Sequence, residues 1–206
     1  MAYDLHGSWD INLGAQPHTN LTEIAQGLDL LWRNNISPSK VVLGLAFYGR
    51  SYTLSNPSCN SPGCAATGPG NAGSCTGSAG ILSIVEIKRA MAQNNAAPTI
   101  DIAAGVKWAS WGNQWVSYDD ADTFVLKTAF ANSLCLGGKM AWALDHANPI
   151  DPQLFTSLQI AEMNSDERAA ATDLTFTPTN HLDRLLARTH LPRRLPPSHI
   201  RSRQGI

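Results

Sequence analysis

The chain has 206 residues, 43% hydrophobic and 15% charged, a composition that fits a folded domain and excludes a disordered chain. Its net charge of -1 gives no overall signature for nucleic acid or a membrane surface. The charge is unevenly placed. Residues 1–163 hold 8 Lys+Arg and 12 Asp+Glu, a net of -4, whereas residues 164–206 hold 7 Arg and 4 Asp+Glu, a net of +3. That break predicts a boundary near Asn164.

In chain order, Met1 to Leu5 reads as a short strand. Leu21 to Asn35 reads as a helix, because Leu21, Ile24, Ala25, Leu28, Leu31 and Trp32 recur at three- and four-residue steps. Thr19 or Asn20 can cap it and Pro38 stops it. Val41 to Phe47 is a continuous apolar run suited to a strand buried on both faces. Ser51 to Gly80 is dense in Gly, Pro, Ser, Asn and Cys and predicts irregular structure. Leu82 to Asn94 returns to helix. Ile100 to Trp108 and Gln114 to Tyr118 read as strands separated by a turn at Gly112-Asn113. Asp119 to Leu134 predicts a helix whose first turn is acidic. Lys139 to Leu144 predicts an apolar strand ending in Asp145, and Pro152 to Met163 one more short helix. Pro178, Pro192, Pro196 and Pro197 interrupt the remainder, so residues 164–206 read as a basic, disordered tail. The strand–helix rhythm is that of an α/β fold.

Cys59, Cys64 and Cys75 share the Gly/Pro/Ser-rich stretch, and Cys135 stands apart. Four cysteines allow three full pairings, and spacing does not choose among them. No ligand-spaced His accompanies them, which argues against zinc. At least one disulfide is expected, and with it an extracellular parent protein. The opening Met1-Ala2-Tyr3-Asp4 lacks the basic and apolar regions of a signal peptide, and no apolar run reaches transmembrane length. No Walker or dinucleotide glycine pattern occurs. No metal, cofactor, nucleic acid or membrane partner is expected.

Three constellations carry candidate chemistry, each near the end of an expected strand, where α/β folds place their sites. The first is Met1-Ala2-Tyr3-Asp4-Leu5-His6-Gly7-Ser8-Trp9. Its bland reading has Tyr3 packing, Asp4 capping a turn and Trp9 covering the core. The second is Ala46-Phe47-Tyr48-Gly49-Arg50-Ser51-Tyr52, where Arg50 can offer a fork of hydrogen bonds to sugar hydroxyls or pair with a local Asp. The third is Met140-Ala141-Trp142-Ala143-Leu144-Asp145, where Trp142 is either core or a stacking floor for a sugar.

These motifs, in this order, resemble the sixth, seventh and eighth barrel strands of family 18 glycoside hydrolases. Asn113-Gln114-Trp115-Val116-Ser117-Tyr118-Asp119-Asp120 resembles the end of the family's chitinase insertion domain. The cysteine loop is similar to that of fungal secreted chitinases. The resemblance implies a partial TIM (β/α)8 barrel, strands six to eight, at residues 1–48 and 119–163, with a small α+β insertion domain at 49–118. It implies chitin or chito-oligosaccharides as the partner and a substrate-assisted retaining mechanism, in which the sugar's own N-acetyl oxygen attacks the anomeric carbon. By position, Tyr3 would hydrogen-bond that N-acetyl group and Asp4 would orient and charge-balance the site. Met1 would line the pocket floor, Trp142 would stack beneath the same sugar, Trp9 would stack on the leaving-group side, and Arg50 would contact a sugar on the glycone side.

The resemblance departs at one place. The family's acid is the Glu of a D-x-x-D-x-D-x-E run on the fourth strand, and no such run occurs in the 206 residues. Asp119-Asp120-x-Asp122 has no Glu at the motif position and opens a helix. Losing a general acid costs about 10²–10⁴-fold in rate. The expectation is therefore a chitinase-type chain inactive alone, opening on the motif's own Met as a piece of a longer protein does. Three strands of eight also predict open edges and poor solubility. The alternatives are a lectin-like chitin binder, a fragment without function, and an interaction protein built around the basic tail.

Overall fold

The computed structural model describes residues 1–147. The expected helix at Pro152 to Met163 and the tail at 164–206 lie outside the described residues.

Two sheets organise the described chain. The first is a parallel pair, β1 (Val42–Ala46) and β8 (Gly138–Trp142), in register from Val42 opposite Gly138 to Ala46 opposite Trp142. The second has six strands: β2 (Tyr48–Leu54), β3 (Ala66–Pro69), β4 (Ile81–Ser83), β5 (Thr99–Asp101), β6 (Val106–Trp111) and β7 (Gln114–Tyr118). Its order is β3-β2-β7-β6-β5, with β4 also on β2, and all its pairings are antiparallel. The chain is α/β, as expected.

Helix α1 (Leu21–Arg33) starts where Asn20 accepts the Thr22 N–H at 2.8 Å. It ends before Pro38 can act, because Asn35 turns left-handed at φ 58° and Ile36 N–H bonds back to the Leu31 carbonyl. Its buried face, Ile24 and Leu28, joins Leu43, Leu45 and Phe47 from and after β1 and Phe124, Phe130 and Ala131 of α3 (Ala121–Ser133). This core fixes β1 between two helices. Helix α2 (Ile84–Asn94) opens on a capping box. Ser83 Oγ accepts the Glu86 N–H, and Glu86 Oε2 accepts from both Ser83 N–H and Ser83 Oγ at 2.9 Å.

Five expectations need correction. Met1 to Leu5 is not a strand: Asp4 takes φ 60°, and the Leu5 N–H turns to the His18 carbonyl instead of a neighbouring strand. Ser51 to Gly80 is not wholly irregular. Ser51 to Leu54 continue β2, and Ala66 to Pro69 pair with it as β3, because a partner strand on either side outweighs the loop-like composition. Leu82 belongs to β4, and the helix starts two residues later. Ile100 to Trp108 is a hairpin, not one strand. Gly105 at φ 62° makes its turn, and a Cβ there would meet Leu21 Cδ1 at 2.6 Å. Finally, β8 ends at Trp142, with a cis Trp142–Ala143 peptide, and Leu144 and Asp145 lie in a short 3-10 helix, Leu144–His146.

Cys59 is disulfide-bonded to Cys64, while Cys75 and Cys135 are free and exposed. Trp115 Nε1–H, donating to the Asn60 carbonyl at 3.0 Å, ties the bridged loop to β7. Glu86 ties the next loop: its Oε1 accepts the N–H groups of Cys75 and Thr76 at 2.6 and 3.0 Å. Burial alone would raise this carboxyl. The donors at Ser83, Thr76 and Cys75 outweigh it and hold the pKa at about 2.

Candidate functional site

The chain from Met1 runs against β1, whose end meets that of β8. Gly44 of β1 permits this approach, since a Cβ there would sit 3.0 Å from Tyr3 Cε1 and 3.1 Å from Met1 Cα. Past the end of β1 comes Tyr48, and two residues later Arg50. On the other side Trp142 O accepts the Phe47 N–H at 2.8 Å, so β8 delivers Trp142 to the same end.

Asp4 is the centre of the cluster. Arg50 donates Nε–H to Asp4 Oδ1 at 2.9 Å and a second N–H to Oδ2 at 2.7 Å, a two-pronged pair. Tyr48 Oη–H donates to Oδ1 at 2.7 Å. Burial pushes the carboxyl up, but the hydrogen bonds from Arg50 and Tyr48 and the Arg50 charge hold it well below the usual range, so Asp4 is ionised. Tyr48 is pushed far up by burial and by Asp4, and stays a donor.

Tyr3 is buried and stands edge-on to Tyr48, with ring centroids 6.0 Å apart. Its hydroxyl has no hydrogen-bond partner among the described residues. Burial first, then the Asp4 charge, raise its pKa and keep it protonated.

Trp9 lies on a 3-10 helix, Ser8–Leu13, and is 58% exposed. The Arg50 guanidinium lies over its ring, 4.7 Å from the centroid. Gly7 makes room for that ring: a Cβ there would fall 2.3 Å from Trp9 atoms. The helix is anchored by His6, whose Nδ1 and Nε2 meet Asp10 Oδ2 at 2.5 Å and Glu23 Oε2 at 2.9 Å. Trp142 is 56% exposed and Met1 88%.

The structure brings Tyr3, Asp4 and Arg50 together and sets Trp9 against Arg50. Arg50 pairs with a local Asp, the plainer of its two readings. Sequence reasoning missed Tyr48, which stands inside a quoted motif, and His18, which stands in none. It also misread Asp119 as part of a helix's acidic first turn. Asp119 is buried and ion-paired to the fully buried Lys127, while Asp120 is the cap, accepting the Asp122 N–H at 3.1 Å. Among the described residues no group of three or more His, Cys, Asp or Glu side chains is arranged to hold a metal.

Glycosyl hydrolases family 18 matches residues 1–147, which span the whole of this cluster. The chain belongs to that family. It is 34% identical over 148 residues to a class V chitinase of Medicago truncatula, covering 70% of this chain and 37% of that protein. It is 33% identical over 165 residues to a secreted chitinase, LysM12, of Penicillium expansum, covering 70% of this chain and 11% of that one. Among solved structures it resembles human YKL-39, described as a pseudo-chitinase with retained chitooligosaccharide binding. The TM-score there is 0.70 at 30% identity, over 79% of this chain and 49% of that one. The family 18 chain thus spans under half the length of each of these relatives. None of its described helices is long and apolar enough to cross a membrane.

Proposed function

We propose that the Asp4 cluster is part of the sugar-binding wall of a chitinase-type glycoside hydrolase. On this reading residues 1–48 and 119–163 are the C-terminal part of a (β/α)8 barrel, with β1 and β8 as its seventh and eighth strands and Met1 to Leu5 in the sixth place without strand pairing, and residues 49–118 are its insertion domain. The observation that carries it is Asp4, held by Arg50 and Tyr48 at the joint end of β1 and β8, next to Tyr3, whose buried hydroxyl has no hydrogen-bond partner among the described residues. A phenol kept protonated is a hydrogen-bond donor, and an N-acetyl oxygen is an acceptor. Held in line by Tyr3, that oxygen can attack the anomeric carbon, with Asp4 balancing the charge that develops on the N-acetyl group. The Tyr3 hydroxyl is buried in this structure. The exposed ring of Trp142 offers a face for the same sugar, the exposed ring of Trp9 a face on the leaving-group side, and Met1 the edge of the floor. Arg50 serves the glycone side while charge-pairing Asp4.

The proton for the leaving oxygen comes from a group outside these motifs, since no D-x-x-D-x-D-x-E run is present. On this reading the chain alone binds chito-oligosaccharides without cutting them, in keeping with the description of YKL-39 as a pseudo-chitinase with retained chitooligosaccharide binding. The Cys59–Cys64 disulfide supports an extracellular setting, as does the description of the Penicillium relative as secreted. The test is retention of the full chain on chitin together with incubation with a fluorogenic chito-oligosaccharide. Retention without fluorophore release is expected. Passage through the chitin column contradicts the reading.

A further inference from the structure

His18 lies between the 3-10 helix and α1 and is completely buried. Its backbone N–H donates to Ser117 Oγ at 3.3 Å, and its ring packs against Tyr48 with centroids 5.2 Å apart. Two consecutive N–H groups end on this one residue: Leu5 N–H on its carbonyl at 3.1 Å, and Asp4 N–H on ring Nδ1 at 3.3 Å. Between those two donors is the backbone of Asp4 at φ 60°, a conformation that costs an L side chain energy and that surrounding bonds must hold.

Nδ1 is also 3.6 Å from Asp4 Oδ1. That is too long for a hydrogen bond, and a ring nitrogen that accepts the Asp4 N–H has no proton to give the carboxylate. Burial pushes the imidazole's pKa down, opposed by Asp4 and Asp119. A neutral ring with Nδ1 as acceptor carries its proton on Nε2. That nitrogen and Asp119 Oδ2 are both buried without a hydrogen-bond partner among the described residues, and the Asp119 charge acts on the ring. The carboxylate favours the same tautomer.

We propose that His18 is a positioning residue: in its Nε2–H tautomer it holds the left-handed turn at Asp4, so that the Asp4 carboxylate meets Arg50 and Tyr48. Its effect on sugar binding rests on the reading above; its effect on Asp4 does not. An Asn at this position can set its amide oxygen where Nδ1 stands, whereas a Leu of similar size offers no acceptor.

The test uses the full chain. Long-range ¹⁵N spectra are expected to show His18 protonated on Nε2 and bare on Nδ1, and hydrogen exchange to show a protected Asp4 amide. His18→Leu is expected to lose that protection and to weaken chitotetraose binding about tenfold, the effect of one hydrogen bond left unmade. His18→Asn is expected to recover most of both, which a role in packing alone does not predict. A proton found on Nδ1 overturns the proposal. So does a folded His18→Leu that keeps Asp4 amide protection. If His18→Leu does not fold, the tautomer and the Asp4 amide of the unaltered chain still decide. If that chain shows no chitotetraose binding, the proposed function fails, and the Asp4 measurements judge His18 separately.

Discussion

The two sheets solve burial differently. In the antiparallel sheet every residue of β7 is buried, and Trp115, Tyr52 and Tyr118 are among the most buried side chains of the described chain. The parallel pair is half open: Val42, Met140 and Trp142 are exposed along it, and Met1 and Leu144 beside it. A parallel sheet reaches full burial only when both faces are covered. An antiparallel sheet of hairpins closes on its own neighbours, and here the disulfide-bridged loop and Glu86 pin its connections. The antiparallel sheet thus buries its central strand on both faces, while the charged and aromatic groups with a candidate role gather at the open end of the parallel pair.

The sharpest break of this contrast is Trp115→Ala. Emptying a fully buried indole site should cost about 3–5 kcal/mol, read by chemical denaturation. Next is Glu86→Gln, which should cost about 1–3 kcal/mol by weakening the four N–H and O–H donations to a charged acceptor. Because the folded pKa is about 2 against an ordinary 4.5, this contribution is complete above about pH 4.5 and is lost as pH falls toward 2. Denaturation midpoints of the two proteins should therefore converge in acid. Gly7→Ala should act on the other region. It displaces the Trp9 ring and weakens chito-oligosaccharide affinity by about 3–10-fold, the worth of one aromatic contact, with little change in denaturation midpoint. Smallest in stability is Trp142→Ala, expected within about 0.5 kcal/mol of the unaltered chain because the ring is already exposed.

What the sequence disclosed follows the range of the interactions. Helix α1 and strand β1 were legible because a 3.6-residue period and an unbroken apolar run are local signals. Asp4, Arg50, Trp9 and Trp142 were legible from motifs of a recognisable order, although of the four only Trp142 ends a strand. His18 was not, because its meaning comes from the backbone reversal at Asp4, fourteen residues earlier, and from Ser117, ninety-nine residues later. Strand β3 was hidden by its Gly- and Pro-containing composition and exists by virtue of its pairing with β2. In α3 the buried face carries Thr123, Lys127 and Thr128 beside Phe124 and Ala131. Lys127 looks like a solvent residue in sequence. It is buried because Asp119, just ahead of the helix, accepts its ammonium.

A sugar-binding wall at the joint end of β1 and β8 must take up a chito-oligosaccharide and lose it with the Trp142 ring. Calorimetric titration of the full chain with chitotetraose, beside Trp142→Ala of matching circular dichroism, tests that directly. Saturable one-to-one binding to the unaltered chain and at least a tenfold loss on removal of the ring are expected. Equal binding by both proteins, or no heat from the unaltered chain, would contradict a sugar-binding wall there.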